Sequence, residues 1–334
     1  MREISEHPLS YGQRALWFLH RLAPGSAAYN VFFAMRVLSD LDVDALRRAF
    51  QTLINRHPAL RTTYLTRDGR PVQLVHEFKE VCFEVMDASG WSREALDGRL
   101  LEEAQRPFNL ETGPLFRVTL LTREPQQHVL LLTAHHIAID LWSLVLLMNE
   151  LRLMRPATDE GATLGLPTAD GLKYTEYVRW QDEMLNGPQG ERLWSYWRER
   201  LGGDLRLLKL PTDRARPPVQ TYRGASYTFR LDQELTERLQ ATAKAERATL
   251  YMILLAAFQV LLYRYTEQEE ILVGSLASGR SRAEFKSIVG YFVNPLVMRA
   301  DLKGNPSFRE FLGQARLTVL AALKRQDYPF PLLI

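Results

Sequence analysis

The stretch TAHHIAIDLWSL, residues 133–144, sets two adjacent histidines, His135 and His136, just ahead of Asp140. Apolar runs flank it on both sides, HVLLLT before and LWSLVLLMNEL after. An imidazole can take or return a proton near neutral pH. A carboxylate can orient such a ring, or sit at the start of a helix and accept from its free N–H groups. Burying groups of this kind is costly unless each finds a partner.

The flanking runs say how the chain positions them. HVLLLTAHH reads as a buried strand and LWSLVLLMNELRL as a buried helix. Side chains alternate along a strand, so His135 and His136 point in opposite directions and at most one faces a given cavity. Asp140 falls near the helix start. A strand–loop–helix corner of this sort displays one side chain at a sheet edge, where a general base or a substrate-orienting group can sit. A satisfied core histidine is an equally open reading. Metal ligation is not expected, because the imidazoles diverge and no further His or acidic cluster adjoins them. Ser143 follows Asp140, but no G-x-S-x-G elbow frames it as a nucleophile.

The chain has 334 residues, room for two packed lobes. It is 46% hydrophobic and 24% charged, with 42 basic against 39 acidic residues and a net charge of +3. That balance, without a basic stripe, gives no support for nucleic acid or a membrane surface as partner. A single cysteine, Cys82, excludes an intrachain disulfide and reads as a small buried hydrophobe. The N-terminus lacks a signal-peptide pattern, and no apolar run reaches membrane-spanning length, so the cytoplasm is the expected compartment.

The first part mixes helices (DVDALRRAFQTLINRH, SREALDGRLLEEAQRPF) with strands (PVQLVHEF, VCFEVMD, FRVTLLT). A polar loop is expected over 155–171. Beyond it come two aromatic helices, LKYTEYVRWQDEML and ERLWSYWRERL, and a Pro- and Arg-rich crossing segment. A helix pair (233–265), a strand running into the Gly/Ser loop GSLASGRSR, the strand NPLVMRADL and a last helix, SFREFLGQARLTVLAALKR, complete the chain. We therefore expect an α+β chain with lobes at 1–170 and 171–334. The ending RQDYPFPLLI has no polar tail or helix cap, which reads as truncation.

Six stretches occur in order: LSYGQRALWFLH, RHPALRTTY, AHHIAIDLWS, YTEYVRW, VGYFVNPLVMR and RQDYPF. The series resembles the ordered core motifs of condensation domains of nonribosomal peptide synthetases, and covers nearly the whole chain. The resemblance implies two chloramphenicol-acetyltransferase-like lobes in a V-shaped pseudo-dimer with a central tunnel. Its last strands are missing here, so the second lobe is incomplete. It implies amide formation between a donor acyl or aminoacyl thioester and the amine of a carrier-bound acceptor amino acid. A starter domain that N-acylates the first amino acid from fatty acyl-CoA, and a free-standing CoA-dependent acyltransferase, are the alternatives.

The implied site residues are His136, His135 and Asp140. His136 faces the tunnel, and Asp140 is mainly structural, paired with Arg61 or, second, Arg299. No intrinsic cofactor is implied. 4′-Phosphopantetheine rides on partner carrier proteins, or acyl-CoA is the donor. Peptidyl carrier proteins and a neighbouring adenylation domain are the implied partners. The sequence departs from the motifs in several places. Leu141 stands where Gly is usual, YGQ replaces the commoner Ser-x-Ala-Gln opening, Pro295 replaces Thr, and Arg325 replaces His or Asn. Leu141, Ser143 and Asn294 are candidates for lining the tunnel and setting selectivity. For Leu141 a core role is the favoured expectation, because residues 141, 144, 145 and 148 form an apolar stripe. GSLASGRSR could bind phosphate by composition, but the resemblance makes it a loop on the tunnel floor. RHPALRTTY and YTEYVRW read as scaffold.

Overall fold

The computed structural model describes residues 4–154 and 171–334, apart from 204, 206 and 223. The loop expected over 155–171 lies, but for Gly171, outside the described residues. The chain divides into two compact units, one of Met1–Asn186 with Arg280–Val293, the other of Gly187–Gly279 with Asn294–Ile334. The division at 170/171 thus moves. The reason is aromatic packing. Tyr174, Tyr177 and Val178 bury themselves against Phe285, Ile288 and Phe292, which ties both segments to the first unit.

The first unit runs β1 (Ile4–Pro8), α1 (Tyr11–Leu22), β2 (Asn30–Val37), α2 (Val43–Arg56), β3 (Thr62–Arg67), β4 (Arg70–His76), β5 (Cys82–Asp87), α3 (Arg93–Gln105), β6 (Phe116–Glu124), β7 (Gln127–His135), α4 (Leu141–Leu153) and α5 (Tyr174–Leu185). A four-stranded sheet has the order β2-β7-β6-β5, with β7 antiparallel to both neighbours and β5 parallel to β6. A second sheet, β1-β4-β3, is antiparallel throughout. The parallel β5–β6 pair needs a crossover, and α3 supplies it.

The interior position of β7 explains its apolar run. Leu130, Leu132 and Ala134 enter the main core with Phe50, Leu53 and Phe116, while Val129 packs under α3 with Leu96 and Leu121. Both faces of β7 are covered, so its sequence does not alternate apolar with polar. Local signals set the helix starts. Asp42, Ser92 and Asp140 each accept a backbone N–H three residues on, at the N-caps of α2, α3 and α4. Cys82 is half-buried on the outer strand β5, and burial raises its thiol pKa.

The second unit runs α6 (Pro188–Leu201), α7 (Gln233–Ala245), α8 (Leu250–Thr266), β8 (Glu270–Ala277), β9 (Asn294–Asp301) and α9 (Phe308–Leu323). No helix or strand occurs among the described residues between α6 and α7. One face of α8 (Ile253, Ala256, Gln259) and one of α9 (Phe311, Ala315, Val319) are buried over the antiparallel β8–β9 pair. No single helix among the described residues is long and apolar enough to cross a membrane.

Asn294, at the start of β9, clips the chain's last turn. Its Nδ2 donates to the carbonyls of Gln326 (2.9 Å) and Tyr328 (2.7 Å), and its Oδ1 accepts from the Phe330 N–H (2.9 Å). One amide thus satisfies three backbone groups. Asn294→Ala should cost about 1–3 kcal/mol, the penalty for stranding partly buried polar groups. Denaturant titration reads this directly, and limited proteolysis should cut near residues 326–330 faster than in the wild type. An unchanged midpoint and cleavage pattern would show the clip to be idle.

Candidate active site

His135 closes β7 and His136 is the first residue beyond it. The backbone of both remains fastened. His135 N–H donates to the Leu115 carbonyl at 3.1 Å, and His136 N–H to the Tyr29 carbonyl at 2.8 Å. The side chains have separate neighbours. His135 is buried near Phe108 and His20, with ring centroids 6.3 and 6.2 Å away. Its Nδ1 accepts the Ile137 N–H at 3.1 Å, so that nitrogen carries no proton and the ring is neutral. Burial first, then repulsion from His20 and His136, lowers its pKa to about 3. His135 is therefore a satisfied core histidine.

His136 is half-buried and takes the opposite tautomer. Its Nδ1 lies 2.7 Å from the Ile139 carbonyl oxygen. A carbonyl only accepts, so Nδ1 holds the hydrogen and Nε2 of the neutral ring keeps its lone pair. The edge of the ring meets Tyr291 at 4.9 Å between centroids and an interplanar angle of 77°. The corner thus gives its two histidines opposite roles toward the backbone, His135 as acceptor and His136 as donor.

Asp140 holds the corner from behind. It is fully buried. Its Oδ1 accepts from Ser143 N–H (2.7 Å), Ser143 Oγ (2.7 Å) and Arg280 Nη2 (3.0 Å), and its Oδ2 from Arg280 Nη2 (3.2 Å) and Phe292 N–H (3.2 Å). Its own N–H donates to the Gly290 carbonyl at 3.1 Å. Arg280 is also buried. Its Nη1 donates to the carbonyls of Phe285 (2.6 Å) and Ile288 (2.7 Å), and its guanidinium covers the Phe292 ring at 3.9 Å. Burial lowers the Arg280 pKa and Asp140 opposes the shift. Ser143 Oγ accepts from Arg280 Nη2 (2.9 Å) and Gly290 N–H (3.0 Å). Its single hydrogen has the Asp140 carboxylate and the Gly290 carbonyl within reach. The junction fastens the start of α4 to segment 280–293.

A second network holds the loop between His136 and Asp140. Gln13 Nε2 donates to Tyr64 Oη (3.0 Å) and to the Ile137 carbonyl (3.2 Å), which also accepts from Tyr64 Oη (3.2 Å). Ser10 Oγ accepts the Gln13 N–H at 3.1 Å. Tyr174 Oη lies 2.9 Å from Ser10 Oγ and 2.5 Å from the Tyr291 carbonyl. Tyr174 must spend its hydrogen on that carbonyl, so Ser10 donates to Tyr174. Burial raises the pKa of both Tyr64 and Tyr174, which keeps them protonated donors. Four of the six sequence stretches, carrying Gln13, Tyr64, Tyr174 and Tyr291, therefore meet around the corner in one unit.

Several expectations are corrected. Asp140 pairs with Arg280 rather than Arg61 or Arg299. Arg61 closes the end of α2, donating to the carbonyls of His76 (2.5 Å) and Asn55 (3.5 Å). Arg299 reaches diagonally across the β8–β9 ladder to Glu270 at 2.8 Å. Ser143 is enclosed in the Asp140 junction, and Asn294 is the clip described above, so neither side chain is free to select a substrate. The apolar stripe on α4 is not a core stripe, because Leu141 is 66% and Val145 53% exposed, while Leu144 is buried. The junction explains this. With Asp140 as N-cap, Ser143, Leu144 and Leu147 turn inward, and Leu141 is left in the open first turn. Arg280 was hidden in sequence inside GSLASGRSR, where composition pointed to phosphate rather than to a buried cation.

Removing one partner of a buried pair leaves the other uncompensated. Asp140→Ala should therefore destabilise the chain by about 3–5 kcal/mol, and Arg61→Ala should leave the Asp140 junction intact. Chemical denaturation of both variants checks this. His135 gives a pH dependence. Its pKa is about 3 folded, against 6.5 as the ordinary value. The unfolded chain therefore binds the extra proton first, so the stabilisation is complete above about pH 6.5 and is lost as pH falls toward 3. His135→Asn keeps an acceptor for Ile137 but does not titrate. Its denaturation midpoint should fall less steeply than the wild type's between pH 7 and 4, and parallel slopes would contradict the buried neutral ring.

Comparison with known proteins identifies the family. The condensation-domain family model matches residues 3–334. One of the linear gramicidin synthase proteins of Brevibacillus parabrevis is 46% identical over 331 residues, which are 98% of this chain and 4% of that protein. Phosphinothricin tripeptide synthetase PhsC of Streptomyces viridochromogenes is 37% identical over 333 residues, 98% of this chain and 30% of that protein. The chain thus spans a small part of the length of these relatives. Among solved structures, a four-domain nonribosomal peptide synthetase bound to AMP and glycine matches with a TM-score of 0.86 at 23% identity, over 99% of this chain and 25% of the other. The X-domain from teicoplanin biosynthesis matches with a TM-score of 0.85 at 26% identity, over 98% of this chain and 72% of the other. The α+β architecture is thereby that of the condensation-domain structures, and the chain belongs to the condensation-domain family.

Proposed function

We propose that the chain catalyses amide-bond formation in nonribosomal peptide synthesis, and that His136 is its catalytic residue. Condensation domains are transferases of this class. The observation that carries the residue assignment is the tautomer of His136, with Nδ1–H held by the Ile139 carbonyl and the lone pair left on Nε2. The donor is an acyl or aminoacyl thioester and the acceptor an amine. The amine nitrogen attacks the thioester carbonyl, a C–N bond forms and the C–S bond breaks. His136 Nε2 accepts the proton that the nitrogen sheds, and the sulfur leaves as a thiolate that then takes up a proton. The amide is more stable than the thioester, so no external energy source is needed.

Carrier proteins bearing 4′-phosphopantetheine arms would present both reactants, and an adenylation domain would load the acceptor. The family's occurrence in multidomain synthetases supports these partners. Holding two tethered reactants in line can remove roughly 7–11 kcal/mol of the barrier, and a general base adds a rate factor of about 10²–10⁴. His136 has a replaceable share of the rate, and the larger share comes from positioning.

The test is a mass-spectrometric assay with donor and acceptor carrier proteins, each loaded with an amino acid from a panel. The wild-type chain should form dipeptidyl-carrier product. His136→Ala should lose about 10²-fold or more in rate, on the scale of general base catalysis, with an unchanged melting temperature. Full activity in His136→Ala would remove His136 from the reaction, and no product across the panel from folded wild type would overturn the amide-forming reading.

A further inference from the structure

Tyr291 takes no part in the reaction just described, yet it is the aromatic ring in edge contact with His136. Three independent features fasten it there. Its backbone neighbours are both tied to the Asp140 junction. Gly290 gives its carbonyl to Asp140 N–H and its N–H to Ser143 Oγ, and Phe292 gives its N–H to Asp140 Oδ2. Its own carbonyl accepts from Tyr174 Oη at 2.5 Å. Its ring also packs against α1 at Gly12, where an added Cβ would meet Tyr291 Cε1 at 2.8 Å, closer than such atoms approach. The YGQ departure from Ser-x-Ala-Gln thus has a local reason, because it makes room for this ring.

Gly290 shows the same constraint from the other side. A Cβ there would fall 2.0 Å from the ring of Tyr174, so the segment approaches α5 as closely as a bare backbone allows. The position of Tyr291 is therefore over-determined, and its ring cannot retreat from His136 without disturbing α1, α5 or the Asp140 junction. On the His136 side, among the described residues, only one hydrogen bond, Nδ1–H to Ile139, orients the imidazole. A single bond leaves the ring free to swing about it. A rigid wall at 4.9 Å between ring centroids removes that freedom.

We propose that Tyr291 is a positioning residue for His136. Its ring fixes the plane of the imidazole so that Nε2 is held toward the reacting amine and the Nδ1–H bond to Ile139 persists. The proposal rests on the reading of His136 given above. The contact is made by the ring edge and face, so the hydroxyl is dispensable. Burial, with lesser contributions from Tyr29 and Asp140, pushes the Tyr291 phenol up to about 12, so it stays neutral and donates no charge to the site.

The test has two readouts on the 334-residue chain. The first is independent of activity. Long-range ¹H–¹⁵N correlation spectra of ¹⁵N-histidine-labelled protein report the His136 tautomer. Wild type and Tyr291→Phe should show one Nδ1–H form. Tyr291→Ala should show a mixture of tautomers or exchange broadening at His136, with His135 unchanged as an internal control. The second is kinetic, with the loaded carrier proteins above. Tyr291→Ala should lose about 10–100-fold in kcat, the scale of a small misplacement of a reacting group. KM for either carrier should stay within about twofold of wild type, and Tyr291→Phe should recover most of the loss. If Tyr291→Ala does not fold, Gly12→Ala is measured instead, since its Cβ displaces the Tyr291 ring, and it should shift the same signals. Wild-type-like His136 signals and kcat in a folded Tyr291→Ala or Gly12→Ala variant would overturn the proposal. An inactive wild type with the expected spectra would instead overturn the functional reading and leave the positioning role standing.

Discussion

Everything at the corner depends on one buried ion pair. Asp140 and Arg280 lie deep in the first unit, where an isolated charge of either sign would be strongly disfavoured. Such a pair stabilises only when its remaining hydrogen-bond capacity is also filled. Here it is. The carboxylate accepts from two backbone N–H groups, one hydroxyl and the guanidinium, and the guanidinium also donates to two carbonyls. A pair this demanding specifies one geometry. The start of α4 and the segment 280–293 have a single register in which all of these groups are satisfied.

That register carries forward to the histidines. β7 brings two imidazoles to its C-terminal end, but the strand alone does not distinguish their chemistry. The turn does, by offering His135 a backbone N–H and His136 a backbone carbonyl. One ring becomes an acceptor toward the protein and is buried neutral. The other becomes a donor toward the protein. The Gln13–Tyr64 network holds the carbonyl of Ile137 inside that same turn, so the tautomers are set by the scaffold as well as by the rings themselves.

Much of this was legible in the sequence. The apolar run of β7, the helical spacing of α2 and the capping position of Asp140 all follow from periodicity and local hydrogen-bonding preference, and they appear where expected. α1, β1, β2 and β3 were not singled out. The β2 stretch NVFFAMRV is half-exposed and its pairing with β7 is a long-range event. The partner of Asp140 was not legible either. The chain has 42 basic residues, and nothing local marks Arg280 as the one that topology returns across 140 positions. Leu141 misled for a related reason. Helical periodicity places 141, 144, 145 and 148 on one side, but the breadth of the buried face is decided by what packs against it, and Leu141 and Val145 are left uncovered. Asn294 is a polar group whose partners are backbone atoms distant in sequence, and Ser143 meets Gly290 and Arg280 across a similar separation, which no motif announces.

The most direct measurement is a double-mutant cycle across the central pair. Asp140→Ala, Arg280→Met and the double variant are compared with wild type for unfolding free energy and for kcat in the loaded-carrier assay. Because each single variant strands the other charge, the double variant should be less damaged than the sum of the singles, with a coupling of at least about 1 kcal/mol, within the range for residues sharing one network. The rate should follow the same non-additive pattern, since the pair acts on His136 only through the register it imposes. Additive effects, within about 0.5 kcal/mol, or full activity in a folded double variant, would contradict the account.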